Sequence, residues 1–147
     1  MITCTPGVGR PRVGHPRCVT TLTLHATGPV DPAEAWERYA VPARWPEWSP
    51  QITGVEPSAP RIAQGVTGRV RGPLGIALPF LVDEVDEAAR RWRWSVYAGQ
   101  VRLTLVHWVS PGPDGGTTTG LRVTGGAPLV VGYVPLAQLA LKGLVAA

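Results

Sequence analysis

Between residues 90 and 110 apolar and polar positions alternate twice in succession, as RRWRWSVY and then VRLTLVHWVS. A period of two sends neighbouring side chains to opposite faces of a strand. The pattern predicts two strands, residues 90–97 and 101–110, turning at Ala98-Gly99 with Tyr97 opposite Gln100. That register gathers Trp92, Trp94 and Val96 with Val101, Leu103, Leu105 and His107 on one face. Arg91, Arg93, Ser95, Arg102 and Thr104 take the other. Val106 and Trp108 fall on this polar face, so a cover for them, or a nearby sheet edge, is expected.

The rest of the chain divides by the same reasoning. Residues 18–27, CVTTLTLHAT, are β-branched and alternating, which predicts a strand ending near Gly28-Pro29. DPAEAWERYA then changes the period to that of a helix. Asp31 is the N-cap, Pro32 takes the first helical position, and Glu34 stands where a capping-box glutamate belongs. Ala35, Trp36, Tyr39 and Ala40 share one face, with Trp36 read as a core anchor. Pro42 ends this helix, and VPARWPEWSP leaves room for one short helical turn carrying Trp45 and Trp48. Strands follow at 52–56, 65–71, 76–85 and 117–124. Gly65, Gly68, Gly72 and Gly75 predict a strongly curved sheet, since strand glycines mark bulges and bends. The 76–85 strand has no single phase: Leu78, Phe80 and Val82 argue one way, Leu81 and Val85 the other. Either Asp83 or Glu84 could therefore face inward. Residues 127–147, APLVVGYVPLAQLALKGLVAA, predict a helix buried along a sheet. A membrane span is the alternative, though Pro135, Gln138 and Lys142 interrupt it.

Composition narrows the class of protein. The chain has 147 residues, 44% hydrophobic and 16% charged, which suits one globular domain. Its net charge of +4 comes from scattered arginines, with Lys142 the only lysine. Nucleic-acid binding needs a clustered basic stripe, so no nucleic-acid partner is expected. Residues 1–17 have no apolar run and read as a loose tail rather than a secretory signal, ahead of one domain over 18–147. GVGRPRVG in that tail follows no strand and opens no helix, so it is no phosphate loop. Two cysteines, Cys4 and Cys18, are too few for a disulfide framework and read as reduced thiols in a cytoplasm. Cys4, His15 and Cys18 lack the spacing of a zinc site. No metal and no cofactor is expected.

The element order is strand, helix, short helix, six strands, long helix. With DPAEAWERY, RWPEWSPQITGVE, GGTTTGLRVTG and PLAQLALKGL, it resembles the SRPBCC superfamily, also called START-like or Bet v 1-like. The subgroup it resembles is the bacterial polyketide cyclase/dehydrase and lipid-transport group. The resemblance covers roughly residues 18–147. It implies an α+β helix-grip fold: a curved antiparallel sheet of about seven strands around a long C-terminal helix, with two short helices after the first strand plugging one end. A short helix needs anchors, so at least one of Trp45 and Trp48 pins it to the core, and Trp48 is assigned to the cavity lining. Relatives often run on past the position of Ala147, which implies a short closing helix and an open cavity.

If the space between sheet and helix is hollow, its walls are Trp92, Trp94, Val96, Leu103, Leu105, His107, Leu121 and Val123, joined by Trp48 and Tyr133. Such walls suit a small hydrophobic ligand: a lipid, a polyketide or an aromatic intermediate. His107 is the one titratable group this register turns inward, a candidate acid/base or hydrogen-bond donor that lacks an assigned carboxylate. His25 points away from Leu22 and Leu24, toward solvent. Four carboxylates of DEVDE read as a solvated strand end paired with Arg90 and Arg91. Three functions remain: a hydrophobic-ligand binder; a cyclase/dehydrase-type enzyme using His107, with Asp83, Glu84 or Tyr97; and a docking module whose terminal helix meets a membrane or partner, as the resemblance to coenzyme Q-binding proteins implies. Ligand identity, turnover and oligomeric state stay open.

Overall fold

The computed structural model describes residues 2–3 and 19–147. Eight antiparallel strands form one sheet in the order β1-β2-β8-β7-β6-β5-β4-β3. They are β1 (Ile2–Thr3), β2 (Val19–Gly28), β3 (Gly54–Pro57), β4 (Thr67–Arg71), β5 (Ala77–Asp86), β6 (Arg91–Ala98), β7 (Val101–Pro111) and β8 (Thr117–Gly126). Three helices join them: α1 (Pro32–Ala40), α2 (Trp45–Trp48) and α3 (Ala127–Val145). The sheet curves, and α3 packs along β2 and β8. Within the expected tail, Ile2 and Thr3 pair with Thr20 and Val19 as an edge strand. Cys4, His15 and Cys18 lie outside the described residues.

Helix α1 starts where its sequence directs. The Asp31 carboxylate accepts from the Ala33 amide at 2.8 Å, and Pro32 opens the helix. Glu34 does not close a capping box. It accepts instead from Arg38 and Arg44, and the Arg44 guanidinium above all holds its pKa below the usual carboxylate value. Ala35, Trp36, Tyr39 and Ala40 are the buried face, as their spacing predicts. The Trp36 indole also donates to Glu87 at 2.6 Å.

The C-terminal end of α1 explains the two tryptophans of RWPEWSP. A helix leaves its last four carbonyls without intrahelical partners. Here Glu37 O accepts from the Val41 amide, and Ala40 O accepts from the Ile62 amide. Arg38 O accepts from the Trp48 indole at 3.0 Å, and Tyr39 O from the Trp45 indole at 2.9 Å. Both tryptophans are therefore anchors, each closing one open valence of the preceding helix while burying its ring. Helix α3 presses on the same segment. A side chain at Gly143 would collide with the Trp48 backbone carbonyl, so glycine sets the closest approach of α3 to α2. Arg38 then caps α3, donating to Leu144 O and Ala146 O, each at 2.8 Å.

The β6–β7 hairpin keeps its predicted faces and changes its turn. Ala98 pairs with Val101 and Tyr97 with Arg102, so the loop is Gly99-Gln100 rather than Ala98-Gly99. Gly99 sits at φ +62°, the left-handed conformation a tight two-residue hairpin asks of its first position. The pairing moves by two residues, an even number, so every side chain stays on its face. Val101 shares the apolar face but lies at the hairpin tip and is exposed. The mixed phase of β5 is a bulge: Val82 pairs with Trp94 and Glu84 with Arg93, leaving Asp83 as the extra residue. Leu78, Phe80 and Val82 follow one phase before the bulge, and Val85, opposite Trp92, follows the other after it. Neither acid reaches the concave side. Asp83 accepts from Ser95 at 2.7 Å, and Glu84 lies 3.7 Å from Arg93.

The remaining DEVDE acids also have partners other than Arg90 and Arg91. Glu87 takes Arg61, which keeps its carboxyl pKa low, and Asp86 accepts from the Ala89 amide. Arg91 instead lies over the Trp108 ring, 5.9 Å from its centroid. Trp108 covers Gly120, where a side chain would meet the indole, and exposed His25 packs edge-on against it at 5.8 Å. This row supplies the cover that an outward tryptophan calls for.

Candidate functional site

Between the concave face of the sheet and α3 lies a cavity of about 660 Å³. Its back wall is the apolar face of β6 and β7: Trp92, Trp94, Val96, Leu103, Leu105 and His107, with Leu121 from β8. Trp48 and Trp45 both line it, where the sequence left open which of the two does. Tyr133 lines it from α3. Val123 is fully buried in the core and is not part of the lining.

The other walls come from segments whose inward direction the sequence did not disclose. Val70 and Leu78 are a cross-strand pair of β4 and β5. Ser49, Gln51 and Ile52 leave α2, and α3 adds Leu129, Leu136 and Ala140. Ile76, Leu136 and Leu139 are lining residues that are also exposed, which marks the opening between the β4–β5 loop and α3. Helix α3 is long and apolar enough to cross a membrane by length and composition. In this fold its residues Ala137, Ala140, Leu141, Leu144 and Val145 are buried.

The back wall is a stack of rings. Trp92 lies parallel to Trp94, with centroids 5.3 Å apart at 22°, and His107 stacks on Trp92 at 5.0 Å and 16°. Trp45 packs at 5.0 Å from Trp94. His107 is 4% exposed, and burial pushes its pKa down to about 3. It is a neutral imidazole, with no carboxylate beside it. Its Nδ1 meets the Tyr39 hydroxyl at 3.3 Å, and that hydroxyl meets Thr119 Oγ1 at 2.7 Å. Burial raises the Tyr39 pKa, so the phenol keeps its proton. Among the described residues, no aspartate, glutamate, lysine or arginine lines the cavity. The wall can hold an apolar body by contact and stacking, and it offers a few neutral hydrogen-bonding groups.

No family model matches the sequence, and no curated protein matches it. Among solved structures, the chain superimposes on the crystal structure of Ara h 8.0201, a Bet v 1 homologue, with a TM-score of 0.65. The match covers 86% of this chain and 97% of that one, at 20% identity. The chain has the helix-grip fold. The helix-grip architecture places the sheet's concave face, the two short helices and the long C-terminal helix around the cavity just described.

Proposed function

We propose that this helix-grip protein binds a small hydrophobic molecule, such as a lipid, a polyketide or an aromatic intermediate, in the cavity between the sheet and α3. The observation that carries this reading is the lining: four indoles and a ring of aliphatic side chains around about 660 Å³, with no charged side chain among the described residues that form it. That size and character match small-molecule sites. Binding is favoured over turnover because the titratable groups in the wall are His107, neutral and tied to Tyr39, and the Tyr133 phenol, whose pKa burial pushes up to about 12. A general base needs an orienting partner and a pKa near the working pH.

The test is native mass spectrometry of protein purified from its own host, followed by identification of whatever denaturation releases. It is paired with titration of the neutral fluorophore N-phenyl-1-naphthylamine into delipidated protein. A stoichiometric hydrophobic adduct, and saturable fluorophore binding that the released compound displaces, is the expected result. A clean apo mass together with no fluorophore binding would overturn the reading.

A further inference from the structure

Helix α3 turns an outer side to solvent that is almost free of polar residues. Seven of its residues are exposed, and Lys142 is the only polar one among them. An exposed helix face is ordinarily polar. The pattern extends beyond the helix. Among the described residues seven large apolar side chains are exposed. Six of them, Leu74, Ile76, Val101, Val131, Leu136 and Leu139, belong to the β4–β5 loop, the tip of the β6–β7 hairpin and α3. The register makes these neighbours: β5 begins beside the end of β6, and β8 ends beside the start of β7, where α3 sets out. Ile76, Leu136 and Leu139 border the opening of the cavity. Single exposed apolar residues are ordinary, but a group of them around one opening marks an interaction surface.

Leu74 shows that this exposure is not incidental, because the chain makes the same turn twice. Gly72-Pro73-Leu74-Gly75 joins β4 to β5 at the mouth of the cavity, and Gly112-Pro113-Asp114-Gly115 joins β7 to β8 at the far end of the sheet. Their third residues sit at φ +61° and +55°, and their closing glycines at +76° and +75°. This left-handed conformation suits Gly, Asn and Asp and disfavours other side chains. Asp114 is what the turn alone calls for. Leu74 is disfavoured by its backbone and is 101% exposed, so neither the turn nor the core accounts for it. An apolar medium outside the protein does.

Charge points to the kind of medium. The stretches that frame the mouth, residues 71–77, 98–102 and 126–142, hold three charged side chains, Arg71, Arg102 and Lys142, all basic. Arg71 is paired with Glu56, Arg102 lies 3.9 Å from Asp83, and Lys142 closes the exposed row of α3 toward its C-terminal end. An apolar face with a basic flank is the composition of a surface that lies in the interface of an anionic membrane. Residues 4–18 contain Val8 and Val13 as their only large aliphatic side chains, beside three arginines and no acid, so they bring little with which to cover the face. A protein partner would need matching hollows for side chains that stand on a turn and a hairpin tip, whereas fluid acyl chains close around any outline. We propose that this rim docks on a bilayer containing anionic lipid. Leu74, Val131, Leu136 and Leu139 enter the acyl boundary, Lys142 stays among the headgroups, and the cavity opens into the membrane rather than into water. The docking rests on exposed side chains and goes beyond the binding reading, which it does not require.

Flotation of the full chain with phosphatidylcholine vesicles, and with vesicles of equal parts phosphatidylcholine and phosphatidylglycerol, tests the proposal. Recovery with the vesicles, stronger for the anionic ones, is the expected result. Leu74→Asp copies the residue of the twin turn and so keeps the fold. It should lower vesicle affinity about tenfold, and Val131→Gln on the exposed row of α3 about as much. Lys142→Gln should lower affinity for the anionic vesicles alone, by about fivefold. Leu74 and Val131 are not in the cavity lining, so without vesicles both variants should bind N-phenyl-1-naphthylamine as the unaltered protein does. A full chain that floats with neither composition would overturn the docking, as would equal affinity of Leu74→Asp and the unaltered protein. A dimer in analytical ultracentrifugation that binds no vesicles would also overturn it and give the face to a second copy. Vesicle binding without fluorophore binding would leave the docking standing and remove the binding reading. Fluorophore binding without vesicle binding would do the reverse.

Discussion

Strands β6 and β7 present two faces built from one alternating sequence, and the faces treat polar atoms in opposite ways. On the convex side they are joined in pairs. Ser95 gives its hydroxyl proton to Asp83 and accepts from Arg102, Glu84 lies beside Arg93, and Arg91 rests on Trp108. On the concave side the rings stack closely while Trp92, Trp94 and His107 each keep a bare nitrogen. Water serves an unpaired group on an outer surface at little cost, but not one enclosed by indoles. The convex face is complete by itself. The concave face packs its rings tightly and leaves these three nitrogens unpaired within the protein.

Substitutions on the two faces sharpen that contrast, and the largest effect belongs to the inner wall. Trp45 is 1% exposed and its indole closes α1. Trp45→Ala should cost about 3–5 kcal/mol in urea unfolding. If it cost less than about 1 kcal/mol, the inner wall would not be the anchor described here. Acid comes next. His107 is held neutral in the fold with a pKa near 3, against about 6.5 unfolded. The unfolded chain therefore binds the extra proton first. Stability from this group is complete above about pH 6.5 and falls as pH drops toward 3, by up to about 1.4 kcal/mol per pH unit. Between pH 6.5 and 5, above the range where Glu34 and Glu87 titrate, unfolding of the unaltered protein should weaken with acid. His107→Phe should lose that slope, and a slope shared by both proteins would assign it elsewhere. The smallest effect is on the outside. Glu84 and Arg93 are half-exposed and 3.7 Å apart, so Glu84→Ala should move stability by no more than about 0.5 kcal/mol.

Local rules carried much of this structure. Asp31 and Pro32 mark the start of α1 because capping is decided within a few residues. The two faces of the hairpin are readable because they depend only on parity, which survives the misplaced turn. Three things were not readable for physical reasons. The bulge at Asp83 appears in the sequence as two conflicting phases, and only pairing with β6 shows that both belong to one strand. Tyr39 is visible as a buried helical residue, but its contact with His107 joins residues far apart in the chain and has no periodic signature. The walls from α2, the β4–β5 loop and α3 depend on how α3 crosses the sheet. The parity that drew Val123 into the lining is the same one that put Leu121 there, and of the two only Leu121 borders the cavity. Parity identifies a face and cannot say where a helix stops covering it.

Two indoles lying nearly parallel at 5.3 Å absorb ultraviolet light as a coupled pair. Their joint near-ultraviolet circular dichroism depends on the angle and distance between them. Four of the six tryptophans stand in the cavity wall, while Trp36 and Trp108 stand outside it. The site is thus surrounded by its own chromophores. Anything that enters and tilts the stack by a few degrees changes the optical signature of the whole molecule, so this protein can report its own occupancy without a label.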